Sequence, residues 1–409
     1  MTYRMLLRSA ALSLILIIPL GIYVAPGVVA DVATVVLALS PLWLPVVLFF
    51  ILAPLWLLLV RSQYVASVPY VLLEVVPGER TPTTARAMEY FFYALYQRIT
   101  ISRRTELLTG AQRMPWSFEL AAHNGVVRFF IYIPQSDRRA VELRLRSEYR
   151  DIDINEARDY ARELVVDPLA TRLTVREFAL AKPDPYPLKT YEEYEKAGSE
   201  TPFAKLLEHL VSFGSSEHCF ISLIVRPHQR ARLRFLEPEV DTLHADAYEE
   251  IAKIVGKGGD PRALPTDKQK VVAAIEDGLK KPSFDCGLRV VYAAPRETFQ
   301  ESRVADIESL FSTFGDKSLN MFVAYNPTER VTWPLSDVFS ALPWLSTMYT
   351  LHLYRRRIFF TPPYYGKAFI LNTAELATLF HLPHIRRSSV LARARGKRLE
   401  PPDNLPVTA

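Results

Sequence analysis

The chain has 409 residues, 49 Lys and Arg against 44 Asp and Glu, a formal charge of +5 and 49% hydrophobic residues. Its 11% aromatic and 23% charged shares exclude a disordered polyelectrolyte. The two cysteines, Cys219 and Cys286, exclude a disulfide-built scaffold and agree with a reducing compartment.

Two apolar stretches open the chain, Ser9 to Ala30 and Val32 to Val60, separated by Asp31 and bracketed by Arg4, Arg8 and Arg61. About 20 apolar residues span a bilayer as a helix, and each stretch is long enough. Positive charge near a span is retained on the cytoplasmic side. The arginines therefore predict a hairpin with both ends in the cytoplasm and Pro26-Gly27 near the outer turn, in the cell (inner) membrane. Trp43, Trp56 and Tyr23 are candidate interface anchors, and Pro19, Pro41, Pro45 and Pro54 are expected to kink the helices or shorten their regular parts. A cleaved signal peptide ending near Val28-Val29-Ala30 is the alternative for the first stretch. The second stretch holds the remainder at the membrane in either case.

Beyond the hairpin, roughly 350 residues give room for two or more cored domains. Pro69 to Val76 reads as a strand. Ala85, Met88, Phe92 and Leu95 recur at helical spacing, with Thr83 or Thr84 as cap. Trp116 to Leu120 and Val127 to Ile133 alternate in character around His123-Asn124-Gly125, a hairpin tip. Val141, Leu145 and Tyr149 mark a helix opened by Ser136-Asp137, and Asp151 to Glu156 a further strand. Strand, helix, strand, strand, helix, strand is the split βαβ order of a ferredoxin-like sandwich. Thr171 to Ala181 adds one strand before the break Pro183-Asp184-Pro185-Tyr186-Pro187.

A second αβ unit follows. Helix Pro202 to Phe213 leads to strand His218 to Val225, and a charged, poorly patterned insertion runs from Arg226 to about Pro265. Thr266 and Gln269 suggest a capping box for a helix carrying Val272 and Ile275. Strand Phe284 to Ala294, a helix with Val304, Ile307 and Phe311, and strand Leu319 to Tyr325 complete it. The expected class is α+β: a transmembrane hairpin (1–64), two ferredoxin-like sandwich domains (65–187 and 188–345), and a basic C-terminal segment with a short helix and extended tail (346–409).

Chemistry-bearing motifs are sparse. Gly256-Lys257-Gly258-Gly259, Gly315-Asp316-Lys317-Ser318 and Gly366-Lys367-Ala368 all lack P-loop spacing. His381 and His384 straddle Pro383 with no third ligand spaced to complete a metal site. His218 and Cys219 point to opposite sides of a strand. There is no Gly-x-Ser-x-Gly elbow or cysteine-protease signature. No cofactor is expected. Basic residues crowd the last quarter: Arg355, Arg356, Arg357, Lys367, Arg386, Arg387, Arg393, Arg395, Lys397 and Arg398. Such a run suits DNA, anionic lipid or an acidic protein face, or is a solvated tail. Leu376, Leu379 and Phe380 share a face of a short helix with Thr373 as cap. That face either packs within its own domain or docks on a partner.

Phe369-Ile-Leu-Asn-Thr-Ala-Glu-Leu-Ala-Thr-Leu-Phe-His-Leu-Pro383 with Glu400-Pro-Pro-Asp-Asn-Leu-Pro406 resembles the segment upstream of the motor in membrane-anchored ATPases of type IV secretion and conjugative DNA transfer, particularly those of small-genome candidate-phylum bacteria. Val71-Leu-Leu-Glu-Val75, Met88-Glu-Tyr-Phe-Phe92, Trp116-Ser-Phe-Glu-Leu120, Arg128-Phe-Phe-Ile-Tyr-Ile-Pro134, Asp151-Ile-Asp-Ile-Asn155, Leu188-Lys-Thr-Tyr-Glu-Glu-Tyr194 and Phe284-Asp-Cys-Gly-Leu-Arg-Val-Val-Tyr-Ala294 are similar to the N-terminal region of that family. The likeness covers most of the chain, yet fused members continue into a motor where this chain ends at Ala409. The resemblance implies a non-enzymatic, membrane-anchored scaffold that docks a separate P-loop ATPase, and it carries over no catalytic residue. The sequence is also compatible with a homo-oligomer. The alternative is a membrane-tethered nucleic-acid binder using the arginine-rich end. An enzyme with a site assembled from distant residues is a third reading, marked by a deep polar pocket.

Overall fold

A computed structural model describes residues 26–78, 84–96, 101–149, 151–164, 166–167, 170–228, 242–256, 263–327, 343–361 and 364–383. The described residues divide into a helical unit, 26–64 with 103–111, and a larger αβ unit formed by the rest of them.

In the helical unit, α1 (Pro26–Ala38) and α2 (Ser40–Ser67) are separated by Leu39 alone. Pro26 thus opens a helix and Asp31 lies inside it, where a turn is expected from the sequence. The first apolar stretch lies almost wholly outside the described residues, as does Tyr23. α2 has 28 residues and a mean hydropathy of 2.6 over its most apolar window, of which 6% is buried. At 1.5 Å rise per residue it is about 42 Å long, enough to cross a bilayer. Pro45 and Pro54 sit within it. The next helix in the chain, α3 (Ala85–Leu95), belongs to the αβ unit. It is followed by α4 (Arg103–Thr109), a short helix of the helical unit. Glu106 of α4 is ion-paired with Arg61, and the Leu107 carbonyl accepts from Trp56 Nε1 at 3.1 Å.

The αβ unit is organised on one antiparallel sheet. Its strands include β1 (Tyr70–Pro77), β2 (Trp116–His123), β3 (Val126–Pro134), β4 (Ile152–Glu156), β5 (Thr171–Leu180), β6 (His218–Pro227), β7 (Ser283–Pro295) and β8 (Phe322–Tyr325). The spatial order is β4-β1-β3-β2-β6-β7-β5-β8. Taken from its outer edge inward, each half reads fourth, first, third, second in its own chain order. The halves meet where β2 pairs with β6, Trp116 opposite Val225 through His123 opposite His218. The strands expected to form two separate sandwiches thus lie in one sheet. β5, expected to end the first sandwich, pairs among the described residues with β7 and β8 and opens the second half. The reason is that the long connection after β4 carries the chain across the sheet, and local alternation does not record that crossing. Asn124 and Gly125, at φ of 52° and 69°, make the tip of the β2–β3 hairpin.

One sheet face is covered by helices. The largest apolar core lies there, and it includes Met88, Phe91 and Phe92 of α3. With them are Val141 and Leu145 of α5 (Arg138–Glu148), and Phe203, Leu206 and Leu210 of a helix over Pro202–Val211. Ile307 and Phe311 of a helix over Glu301–Ser312 complete the layer. Thr84 caps α3 by accepting from the Ala87 N–H at 3.3 Å. The region 226–265, poorly patterned in sequence, contains a helix over Thr242–Val255. The next helix, Thr266–Leu279, starts after Pro265, and Gln269 donates to the Leu264 carbonyl rather than closing a capping box.

The other sheet face is buried by the turn at Tyr160–Glu163 and by the helix Pro343–Arg355, whose Leu351 and Tyr354 pack on Leu72, Phe130, Phe220 and Val291. A strand over Phe369–Asn372 also pairs with β7, Phe369 opposite Cys286 through Asn372 opposite Ser283. Residues 343–361 and 364–383 therefore contribute to both faces of the sheet. Cys219 and Cys286 lie on adjacent strands but six positions out of register, since Cys219 faces Tyr292 and Cys286 faces Val225. They are about 20 Å apart along the strands.

Candidate functional site: a buried arginine–carboxylate belt

The register places one residue from each strand in a single row on the second face: Asn155, Glu74, Phe130, Glu119, Ser222, Arg289, Glu177 and Tyr325. Side chains directly opposite in an antiparallel sheet point the same way, so the row forms a polar belt across both halves. Its central members are dry. Glu119 and Glu177 are fully buried, and Arg289 is 1% exposed.

Two ion-pair clusters are built on this belt. In the first, Arg357 Nε and Nη2 donate to Glu119 at 2.9 and 3.0 Å, and Nη1 and Nη2 donate to Asp159 at 2.7 and 2.9 Å. Tyr160 Oη also donates to Glu119 at 2.8 Å and lies 2.6 Å from Tyr354 Oη. Burial alone lowers a guanidinium, but the Glu119 and Asp159 carboxylates hold Arg357 well above its ordinary value. Burial, followed by the Glu119 charge, pushes both tyrosines up and keeps them protonated. Arg357 sits at φ of 51°, a left-handed conformation that costs a non-glycine residue about 1–2 kcal/mol. The bidentate contacts hold it there.

In the second cluster, Glu177 accepts from Arg289, Tyr325 Oη and Tyr364 Oη, the last two at 2.7 and 2.6 Å. Arg289 Nη2 also donates to the Ile358 carbonyl at 3.0 Å. Its guanidinium lies 5.6 and 5.7 Å from the Phe359 and Tyr364 ring centroids. Phe359 occupies a slot between Gly287 and Gly366, where a Cβ on either glycine would meet the ring. Both clusters therefore tie residues 354–364 to the sheet.

A third polar group lies at the end of β6 and β7. His228 Nδ1 is 2.6 Å from Asp285 Oδ1, and Arg226 Nε donates to Asp285 Oδ2 at 2.9 Å. Burial pushes the Asp285 carboxyl up, but the His228 hydrogen bond and Arg226 charge bring it below its usual range. Nearby, Asp184 and Glu375 line a cavity of about 20 Å³, room for one water. Burial pushes Asp184 up to about 6 and Glu375 up to about 7. Glu375 nonetheless accepts from the Leu188 and Asn372 N–H groups at 2.6 and 2.7 Å.

The residues singled out from the sequence separate in the fold. Arg355 donates to the carbonyls of Ala161 and Leu164, Arg357 is interior, and Arg356 is exposed. Leu376, Leu379 and Phe380 are 0%, 6% and 2% exposed within the main core. They belong to a helix over Thr373–Leu379 and its C-terminal cap, packed on α3, so of the two readings of that face it is internal packing that holds, and no docking surface is formed. The N-terminal cap is Asn372, not Thr373: Asn372 accepts from the Ala374 and Glu375 N–H groups, and Glu375 closes the capping box. Arg386, Arg387, Arg393, Arg395, Lys397, Arg398 and His384 lie outside the described residues. His381 packs on Phe203, and its Nδ1 lies 2.9 Å from the Ala377 carbonyl. Burial holds its imidazole down to about 4. Among the described residues no group of three or more His, Cys, Asp and Glu is placed to hold a metal.

Sequence reasoning misses Glu119, Glu177 and Arg289. Charged residues in otherwise apolar strands are their signal, but both faces of these strands are covered, so alternation does not mean exposure.

The model of a family described as a domain of unknown function (DUF8128) matches residues 91–389, well over half of the chain. No curated protein matches the chain.

Proposed function

The chain belongs to the DUF8128 family, and we propose that it is a membrane-anchored, non-enzymatic scaffold that docks a separate P-loop ATPase of a secretion or DNA-transfer apparatus. In this reading the apolar N-terminus forms two spans with the αβ unit in the cytoplasm. The two sheet halves are ferredoxin-like units fused edge to edge, a reading supported by their matching strand order.

The observation that carries the proposal is the pairing of one exposed, 28-residue apolar helix with a solid body. Glu119 and Glu177 of the belt are tied internally to Arg357 and Arg289, and two cavities among the described residues measure about 10 and 20 Å³. In this reading the αβ unit works through its surfaces.

Affinity capture from native membranes, using the full chain as bait, is expected to recover a P-loop ATPase. Repeated capture without one sinks the scaffold reading. The nucleic-acid alternative predicts binding that falls steeply with salt and weakens when Arg356 is neutralised together with the arginines beyond residue 385. Protease shaving of intact cells tests the sidedness, and digestion of the αβ unit from outside would overturn it.

A further inference from the structure

We propose that the outer faces of α3 and α5 form a second, peripheral membrane contact that rests on an anionic bilayer surface. The proposal depends on α2 spanning that bilayer, and it adds a lipid-binding surface to a body otherwise read as a protein scaffold.

Topology places these helices near the tether. Val68 and Pro69 alone separate α2 from β1. Tyr70, the first residue of β1, pairs with Pro134 at the end of β3, and the Gln135 N–H donates to the Pro69 carbonyl at 2.9 Å. α5 therefore starts at the tethered end of the sheet. α3 finishes there, because Tyr96, which follows it, donates through Oη to the His228 carbonyl and packs on Phe284. Those residues lie at the end of β6 and β7 that is level with Tyr70 through the registers of β1, β3, β2 and β6.

The two helices pack together and present an unusual surface. α3 exposes Arg86, Tyr90 and Tyr93 at spacings of four and three, with Tyr90 56% and Tyr93 62% exposed. α5 exposes Arg139, Leu143 and Arg146 at the same spacings, with Leu143 61% exposed. Antiparallel packing sets Tyr93 toward the Arg139 end and Arg86 toward the Arg146 end. The acids within these helices are largely drawn elsewhere: Glu89 binds Lys281 and Tyr191, and Glu142 binds Arg138. Tyrosine at the headgroup level, an aliphatic side chain between, and arginine toward phosphate is the chemistry of an interfacial helix face. A two-residue tether keeps the local concentration of bilayer high, so weak contact suffices.

The test uses the full chain in lipid nanodiscs of phosphatidylcholine with or without phosphatidylglycerol. Spin labels go on Tyr93→Cys, Leu143→Cys, Leu52→Cys in α2, and Glu297→Cys beyond the far end of β7. Native Cys219 and Cys286 are buried and do not compete for the label. Oxygen against aqueous nickel accessibility is expected to place the Leu52 label in hydrocarbon, the Tyr93 and Leu143 labels at the headgroups, and the Glu297 label in water. Removing phosphatidylglycerol, or Arg139→Gln with Arg146→Gln, is expected to lower the contact population about fivefold per arginine. Labels at 93 and 143 as wet as that at 297, with Leu52 in hydrocarbon, overturn the proposal while leaving the anchor intact. Protection of 93 and 143 only when a protein partner is added also overturns it, in favour of protein docking. A water-exposed Leu52 label fails the membrane reading itself.

Discussion

Arg357→Met removes the guanidinium that Glu119 and Asp159 share, without changing the side-chain branching at a left-handed backbone position. Arg357 and Glu119 side chains are 3% and 0% exposed, and Asp159 is 15% exposed. The substitution leaves two carboxylates facing each other with little water. Breaking a buried pair in this way costs about 3–5 kcal/mol, a large fraction of the roughly 5–15 kcal/mol that keeps a typical domain folded. Adding Glu119→Gln removes the more deeply buried of the two carboxylates, and the double variant is expected to recover about 1–3 kcal/mol through coupling. Urea unfolding of the chain in nanodiscs, followed by circular dichroism, measures both. A loss below about 1 kcal/mol for Arg357→Met, or a double variant whose loss equals the sum of the singles, refutes the idea that the cluster is a mutually dependent tie.

Glu375 gives a pH dependence of fixed sign. Its carboxyl is raised from 4.5 to about 7 by burial, so the folded chain binds that proton more tightly than the unfolded chain. Stability is therefore expected to fall as pH rises from about 4.5 through about 7, by about 3 kcal/mol from this group, and to level above it. Unfolding midpoints across that window test it, and Glu375→Gln should flatten the slope; an unchanged slope refutes the assignment. Gly287→Ala and Gly366→Ala both drive a methyl into the Phe359 slot. Each is expected to cost about 1–3 kcal/mol as overpacking, and the pair less than the sum because the same ring is displaced. Thermal melts of the three variants decide, and strict additivity would argue against a shared slot.

Local pattern carries much of the fold. The Asn124-Gly125 tip, the α3 face through Met88 and Phe92, the α5 face through Val141 and Leu145, and the order of elements in the first half are all short-range features. β5 is misplaced from sequence because its partners, β7 and β8, follow it by more than a hundred residues, and periodicity is silent about which edge a strand joins. Arg357 reads as a surface cation for a similar reason. Its partner Glu119 is 238 residues away, so no spacing rule links them. Leu376, Leu379 and Phe380 show the limit of a helical stripe: the pattern identifies an apolar face but not whether the chain itself already covers it. In the structure α3 and the main core do so.

The closing ties have an implication for biosynthesis. Tyr354, Arg357 and the helix after Asn372 complete contacts with strands and helices made up to two hundred residues or more earlier. A ribosome delivers those earlier elements first, so the apolar surfaces they present stay open until residues 354–380 emerge. Such waiting intermediates are vulnerable to aggregation and to degradation machinery. Docking of residues 354–380 is thus the step that closes the αβ unit over its two apolar cores.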